Sequence, residues 1–319
     1  MPAKHTLSIL SRDVEQYSRL AQSEPALASR LIQVASSPQE LDPQRVEILL
    51  SEPDLAVQVI PECPNLVWLQ STWSGNAPLL KLTKRNYVLT AAKGIFNAAI
   101  REYVLAYLLY FTRNMPSFHP RQGDPEHIRP RQWQPPQIDT LANKRIGILG
   151  AGSMASALVP VLRGFSATIL GLNRSGQSTD EYTQMYAFSD LHQFLAKLDF
   201  LVVLLPDTPD TQHLLNQQTL ALLPAHCVLI NAGRGSTIDD QALLNALDQN
   251  RLGAAVLDVF AQEPLPSEHP YWQHPKVWIT HHTAAISDPN AVFQVFNDNF
   301  QRWSSHQPLN YQIDFNRGY

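Results

Sequence analysis

The stretch Lys144-Arg145-Ile146-Gly147-Ile148-Leu149-Gly150-Ala151-Gly152-Ser153-Met154-Ala155 decides how the rest of the chain is read. Residues 145–149 make a short, mostly apolar run fit for a buried parallel strand, and a helix is predicted over 153–162 immediately after it. Between them, Gly150 allows a tight turn, Gly152 lets a pyrophosphate approach the backbone, and Ala155 is small enough for helix–strand packing. A phosphate at Gly150, Ala151, Gly152, Ser153 and Met154 would meet unpaired N–H groups at the positive end of a helix dipole. Strand, glycine turn and helix together read as a dinucleotide-binding loop.

Working outward toward the C-terminus, the pattern is regular. Strands are predicted at 168–172, 200–205, 228–231, 254–259 and 277–280, and helices at 190–198, 211–222 and 239–249. Such alternation builds a parallel sheet with helices on both faces. Pro160 should kink the first of these helices or mark its last turns. The second strand runs out as Leu170-Gly171-Leu172-Asn173-Arg174-Ser175, with no carboxylate to accept from the ribose 2′-OH of NAD. Asn173 would not repel a 2′-phosphate, Arg174 could pair with one and Ser175 could donate to it, so NADPH is the expected cofactor, with NADH also possible.

Toward the N-terminus, a strand is predicted at 6–10, a helix at 13–31 and strands at 55–60 and 66–69, making an alternating α/β unit. The helix predicted over 95–111 has almost no polar face and must be covered all round, either as a central connector or at a subunit interface. Residues 115–136 contain six prolines and read as an extended arm. Its His119, Arg121, His127, Arg129 and Arg131 read as solvated surface before an anion site. With 319 residues, two domains are expected. A net charge of -4 argues against a nucleic-acid partner, and no apolar stretch is long enough to span a membrane. Cys63 and Cys227 give neither a disulfide framework nor a zinc site, and no signal peptide is visible, so a reducing, cytoplasmic location is expected.

Two further segments carry chemistry. The strand at 228–231 leads into Ala232-Gly233-Arg234-Gly235, at the sheet edge where ligands bind in open α/β folds. Beyond it come Leu257-Asp258-Val259-Phe260-Ala261-Gln262-Glu263-Pro264-Leu265-Pro266 and Ile279-Thr280-His281-His282-Thr283-Ala284-Ala285. An arginine, a glutamate and a histidine at successive strand ends read as a carboxylate anchor, an orienter and a proton donor.

At these motifs, in this order and spacing, the chain resembles the D-isomer-specific 2-hydroxyacid dehydrogenases, and within them the glyoxylate/hydroxypyruvate reductase A branch. The resemblance covers essentially the whole chain, including Tyr271-Trp272-Gln273-His274-Pro275 and the terminal Arg317-Gly318-Tyr319. It implies Arg234 as anchor of the substrate carboxylate, His282 as acid/base with Glu263 as partner, and Asp258 near the nicotinamide. It also assigns Pro206, Thr211, Ala232 and Gly233 to the cofactor. Trp73, Ser74, Gly75 and Asn76 match the loop whose backbone holds the substrate carboxylate, with Ala77 where the family usually has Asp and a bulky Trp73 where a small residue is common. His281 stands where proline is frequent; spacing to Ala284-Ala285 favours His282 as the acid.

The implied fold is a Rossmann-type, doubly wound parallel-sheet cofactor domain (99–283) inserted into a split flavodoxin-like α/β substrate domain (1–98 and 284–319). The implied reaction is reduction of a small 2-oxo acid, and the implied assembly is a homodimer. The competing reading is a dinucleotide-sensing binding protein of the corepressor type on the same fold.

Overall fold

The structure is a computed structural model that describes residues 5–117, 137–177 and 181–318. Most of the proline-rich arm, 118–136, lies outside the described residues, as does Tyr319. The chain forms two compact units, Met1–Ile95 with Ser287–Tyr319, and Phe96–Ile286. The sequence expectation had the crossovers at 98/99 and 283/284.

The first unit is a five-stranded sheet of β1 (Leu7–Leu10), β2 (Leu31–Ala35), β3 (Ile48–Ser51), β4 (Trp68–Ser71) and β5 (Val88–Thr90). All pairings are parallel, in the order β2-β1-β3-β4-β5. That is the flavodoxin-like order 2-1-3-4-5. Its inner strands are buried on both faces. The C-terminal helix Pro289–Ser304 covers one face: Phe296 stacks on Trp68 at 5.3 Å, and the Asn299 amide donates to Gln70 Oε1 at 3.1 Å.

Several expectations for this unit are corrected. The segment expected as a strand at 55–60 is the helix Pro53–Val59, started by Pro53 at its first turn, and the strand lies just upstream as β3. The helix expected over 13–31 stops at Ser23; Pro25 opens a separate short turn and the chain then enters β2. The strand expected at 66–69 is shifted to Trp68–Ser71.

The second unit is a seven-stranded sheet of β6 (Arg145–Leu149), β7 (Thr168–Asn173), β8 (Gln184–Ala187), β9 (Phe200–Val203), β10 (Val228–Asn231), β11 (Ala254–Leu257) and β12 (Val277–Ile279). All are parallel in the order β12-β11-β10-β9-β6-β7-β8, the Rossmann order extended by one strand. The winding reverses between β6 and β9, so the carboxyl ends of these strands flank the ligand-binding crevice of such a sheet. The helix Ser153–Gly164 continues through Pro160, which therefore does not end it. The helix expected over 211–222 contracts to Gln217–Leu220, because Thr211 and Thr219 turn their hydroxyls back onto carbonyls of Pro206 and Leu214.

The helix predicted to be covered all round, Asn97–Thr112, packs on Ser153–Gly164 and buries one stripe only: Ile100, Val104, Leu108 and Thr112. Ala98, Ala99 and Ala106 are exposed, and Tyr107, Tyr110 and Phe111 are half-buried. Among the described residues, no helix is long and apolar enough to cross a membrane.

Candidate active site

The glycine loop turns out of β6 at the switch point. Gly150 has φ +101, and a Cβ there would lie 2.8 Å from the carbonyl carbon and oxygen of Leu204, beyond β9. Backbone and neighbour both demand glycine. The amides of Gly150 and Ala151 donate to Leu172 O at 3.1 and 3.0 Å, and that of Gly152 to Gly150 O at 2.8 Å. These three therefore shape the loop. The donors left for an anion are the first-turn amides of Ser153, Met154 and Ala155, which Gly152 as N-cap cannot satisfy. Gly152 differs from Gly150: its φ of -105 suits any residue. Among the described residues, a Cβ on it would meet no atom within 4 Å. Glycine at 152 has no reason in the fold, and the open space before a helix N-terminus fits a bound pyrophosphate.

At the end of β7, Asn173 does more than avoid repelling a phosphate. Its Oδ1 accepts from the amides of Ser175 and Gly176 at 3.1 and 2.7 Å, and its Nδ2 donates to Gln177 O at 3.3 Å. It folds the turn that exposes Arg174 and Ser175. Beyond β9, the buried Thr211 hydroxyl donates to Pro206 O at 2.7 Å and closes that loop. Ser236 Oγ donates to Asp207 Oδ1 at 2.8 Å, tying the same loop to the arginine segment.

Arg234 follows β10. Asn231, to which sequence reading gave no role, braces the Ala232-Gly233-Arg234 turn by accepting from Gly233 N at 3.1 Å and donating to Arg234 O at 3.0 Å. The guanidinium donates to Gly233 O at 2.6 Å. Burial pulls it below its usual value, and the charges of Glu263 and Asp207 oppose that. A Cβ on Gly235 would collide with the backbone of Phe260 and Ala261, so only glycine lets the arginine segment lie against the one bearing Glu263.

Glu263 Oε1 accepts from Phe260 N at 2.9 Å, and its Oε2 lies 2.7 Å from His282 Nδ1. Burial pushes this carboxyl up, but the His282 and Phe260 hydrogen bonds, with the charges of His282 and Arg234, hold it net below its ordinary 4.5. A carboxylate only accepts, so Nδ1 carries the proton toward Glu263 and Nε2 is the free end of the ring. His282 sits in the left-handed region at φ 54. His281 turns the other way, its ring 5.7 Å from that of Trp272.

Asp258, expected near the nicotinamide, makes bonds of its own within the chain. Only 1% exposed, it accepts through Oδ1 from Thr280 Oγ1 at 2.5 Å and Thr283 N at 2.9 Å, and through Oδ2 from Ala284 N at 3.0 Å. Its backbone carbonyl accepts from His282 N at 2.8 Å. The side chain thus ties down the histidine segment. Neither Thr280 nor Asn231 was singled out from the sequence; the Asn two residues before a glycine was the available signal for the latter.

The loop expected to hold a substrate carboxylate belongs to the first unit, at the carboxyl end of β4. Ser71 Oγ accepts from Trp73 N at 3.0 Å, which turns the chain sharply after the strand. Among the described residues, no protein oxygen accepts from the amides of Ser74, Gly75 and Asn76. Trp73 is half-buried, and Ala77 starts the short helix Ala77–Leu80. Nearby, Glu52 follows β3 and is 5% exposed. Its Oε1 accepts from Ser11 Oγ at 3.0 Å and Arg12 N at 3.2 Å, while burial pushes the carboxyl above its ordinary 4.5.

Residues 105–284 match the family model for the NAD-binding domain of D-isomer specific 2-hydroxyacid dehydrogenases. The chain is 36% identical over 220 residues to a glyoxylate/hydroxypyruvate reductase A of Serratia proteamaculans, spanning 69% of this chain and 68% of the relative. A family member from Aeromonas salmonicida superposes with TM-score 0.87 at 35% identity, over 98% of this chain and all of that one. An NADPH-dependent glyoxylate/hydroxypyruvate reductase from Sinorhizobium meliloti, solved with NADP and sulfate, superposes with TM-score 0.85 at 26% identity, over 98% of this chain and 100% of that one. The chain belongs to the D-isomer specific 2-hydroxyacid dehydrogenase family. It is an oxidoreductase whose second unit contains the matched NAD-binding region.

Proposed function

We propose that the protein reduces a small 2-oxo acid of the glyoxylate or hydroxypyruvate type to the D-2-hydroxy acid, with NADPH as the preferred cofactor. The observation that carries this reading is the 2.7 Å pair of His282 and Glu263 beside the half-buried Arg234, in the unit that holds the glycine loop. Arg234 grips the substrate carboxylate and carbonyl through its planar fork. His282 Nε2 gives the carbonyl oxygen its proton, with Glu263 holding the ring from the Nδ1 side. Bound NADPH supplies the hydride that the carbonyl carbon receives. The first-turn amides after Gly152 hold the pyrophosphate, and Arg174 and Ser175 meet the 2′-phosphate on the turn that Asn173 folds. We assign cofactor binding to the second unit and substrate carboxylate binding to the amides of Ser74, Gly75 and Asn76 in the first.

A homodimer joined through the half-exposed apolar faces of the helix Asn97–Thr112 accounts for that helix's composition. Two buried free thiols, Cys63 and Cys227, suit a cytoplasmic location. The corepressor alternative has no observation of its own in its favour. The test is loss of reduced-nicotinamide absorbance with glyoxylate, hydroxypyruvate, pyruvate and phenylpyruvate, each with NADPH and with NADH. Turnover of the small acids with NADPH ahead of NADH is expected. Absence of turnover with all four refutes the reaction, and a preference for NADH refutes the role of Arg174.

A further inference from the structure

The hydroxyl of Tyr103, on the helix Asn97–Thr112, lies 2.8 Å from Thr280 Oγ1, and Thr280 Oγ1 lies 2.5 Å from Asp258 Oδ1. The direction of this chain follows from its end. The Asp258 oxygen already accepts two backbone amides, so Thr280 must donate to it. A hydroxyl has one proton, so Thr280 can only accept from Tyr103. Tyr103 is half-buried and burial pushes its phenol up, which keeps it a donor.

Three donors from the segment 280–284 thus converge on one carboxylate, and a fourth bond joins His282 N to Asp258 O. Between them sits His282 at φ 54, in the left-handed region that non-glycine residues adopt uncommonly. If the segment relaxed, the ring would leave Glu263 and its free nitrogen would no longer point at a fixed spot. We propose that Tyr103 and Thr280 are positioning residues for the proton donor: the directed chain Tyr103 to Thr280 to Asp258 locks the backbone that holds His282 in its left-handed conformation against Glu263. The role rests on the reductase reading given above. It links a residue of the long apolar helix to a segment 177 positions away in sequence.

Thr280→Val keeps the shape of the side chain and removes both bonds, Tyr103→Phe removes only the outer donor, and Thr280→Ser restores the hydroxyl. Expected are a kcat about tenfold or more lower for Thr280→Val, a smaller fall for Tyr103→Phe, and near wild-type kcat for Thr280→Ser, with KM for the 2-oxo acid and for NADPH within about threefold throughout, on the scale of one lost hydrogen bond to a charged group. Independently of turnover, hydrogen–deuterium exchange of the 280–284 amides should quicken at least tenfold in Thr280→Val and stay slow in Thr280→Ser, while β6 is unchanged. Unaltered exchange in Thr280→Val overturns the lock. Wild-type turnover with unchanged kcat in Thr280→Val overturns the positioning role alone. A wild type that reduces no 2-oxo acid overturns the reductase reading together with that role.

Discussion

Replacing Gly152 by alanine separates what the fold requires from what a ligand requires. The backbone at 152 is already in a region open to any residue, and the new methyl would touch no atom of the described residues within 4 Å. Alanine is a poorer N-cap than glycine by roughly 0.5–1 kcal/mol, but it lowers the entropy of the unfolded chain by about 0.4–1 kcal/mol, so the two effects offset. Stability of Gly152→Ala should therefore stay within about 1 kcal/mol of wild type in a urea melt. The methyl does stand where a pyrophosphate must approach the helix. Displacing it from one charge-assisted N–H contact costs about 1.5–3 kcal/mol, or roughly a 10- to 150-fold rise in Kd. Gly150→Ala is the counterpart: φ +101 and the 2.8 Å approach to Leu204 put the damage in the fold itself, about 1–3 kcal/mol of strain before the collision is counted. Calorimetric titration with NADPH beside the urea melts gives both quantities. Gly152→Ala binding NADPH within twofold of wild type would refute the assignment of this loop to the pyrophosphate.

Three further outcomes are expected. Glu263→Gln replaces a charge-assisted 2.7 Å bond by a neutral one; with both side chains part-exposed the lower end of the range applies, about 1.5 kcal/mol, so kcat/KM should fall roughly tenfold. An unchanged kcat/KM would remove Glu263 from the mechanism. Arg234→Lys keeps the charge and loses the fork, so kcat/KM for glyoxylate should drop at least tenfold, about 1.4 kcal/mol, without loss of NADPH affinity; equal losses in both would point to a disturbed loop. Because the buried Glu52 carboxyl is raised, the native state holds its proton to higher pH than the unfolded chain, and stability falls as pH rises from about 4.5 through the folded value. Glu52→Gln lacks that decline, so its melting temperature relative to wild type should climb between pH 4.5 and 7.5; a constant difference would contradict it.

Legibility in the sequence followed the physics of each element. The strand at 228–231 was readable because a short apolar run ending in Asn-Ala-Gly has few alternatives, and the structure gives the same bounds. Leu55–Ile60 reads as a strand because so short an apolar run has no period that separates strand from helix, and the deciding residue, Pro53, lies outside it. The turn-forming work of Thr211, Thr219 and Asn173 lies in side chain to backbone bonds that leave no hydrophobic pattern. Arg234, Glu263 and His282 could be named because each sits in a local motif after a strand. Thr280 and Tyr103 could not: nothing local in the segment Tyr103-Val104-Leu105 says that its hydroxyl meets a residue beyond the last strand of the sheet.

The split of the first unit has a consequence for biosynthesis. Its sheet is complete by Thr90, yet the helix that covers the Trp68 and Gln70 face begins only at Pro289, about 200 residues later. At ribosomal speeds that is roughly 10–40 s during which five parallel strands wait with a large apolar face open to water. The inserted unit is continuous in sequence and is fully synthesised before that helix begins. The unit begun first is thus the one completed last, and a nascent chain stopped before Pro289 presents an uncovered sheet for chaperones to guard.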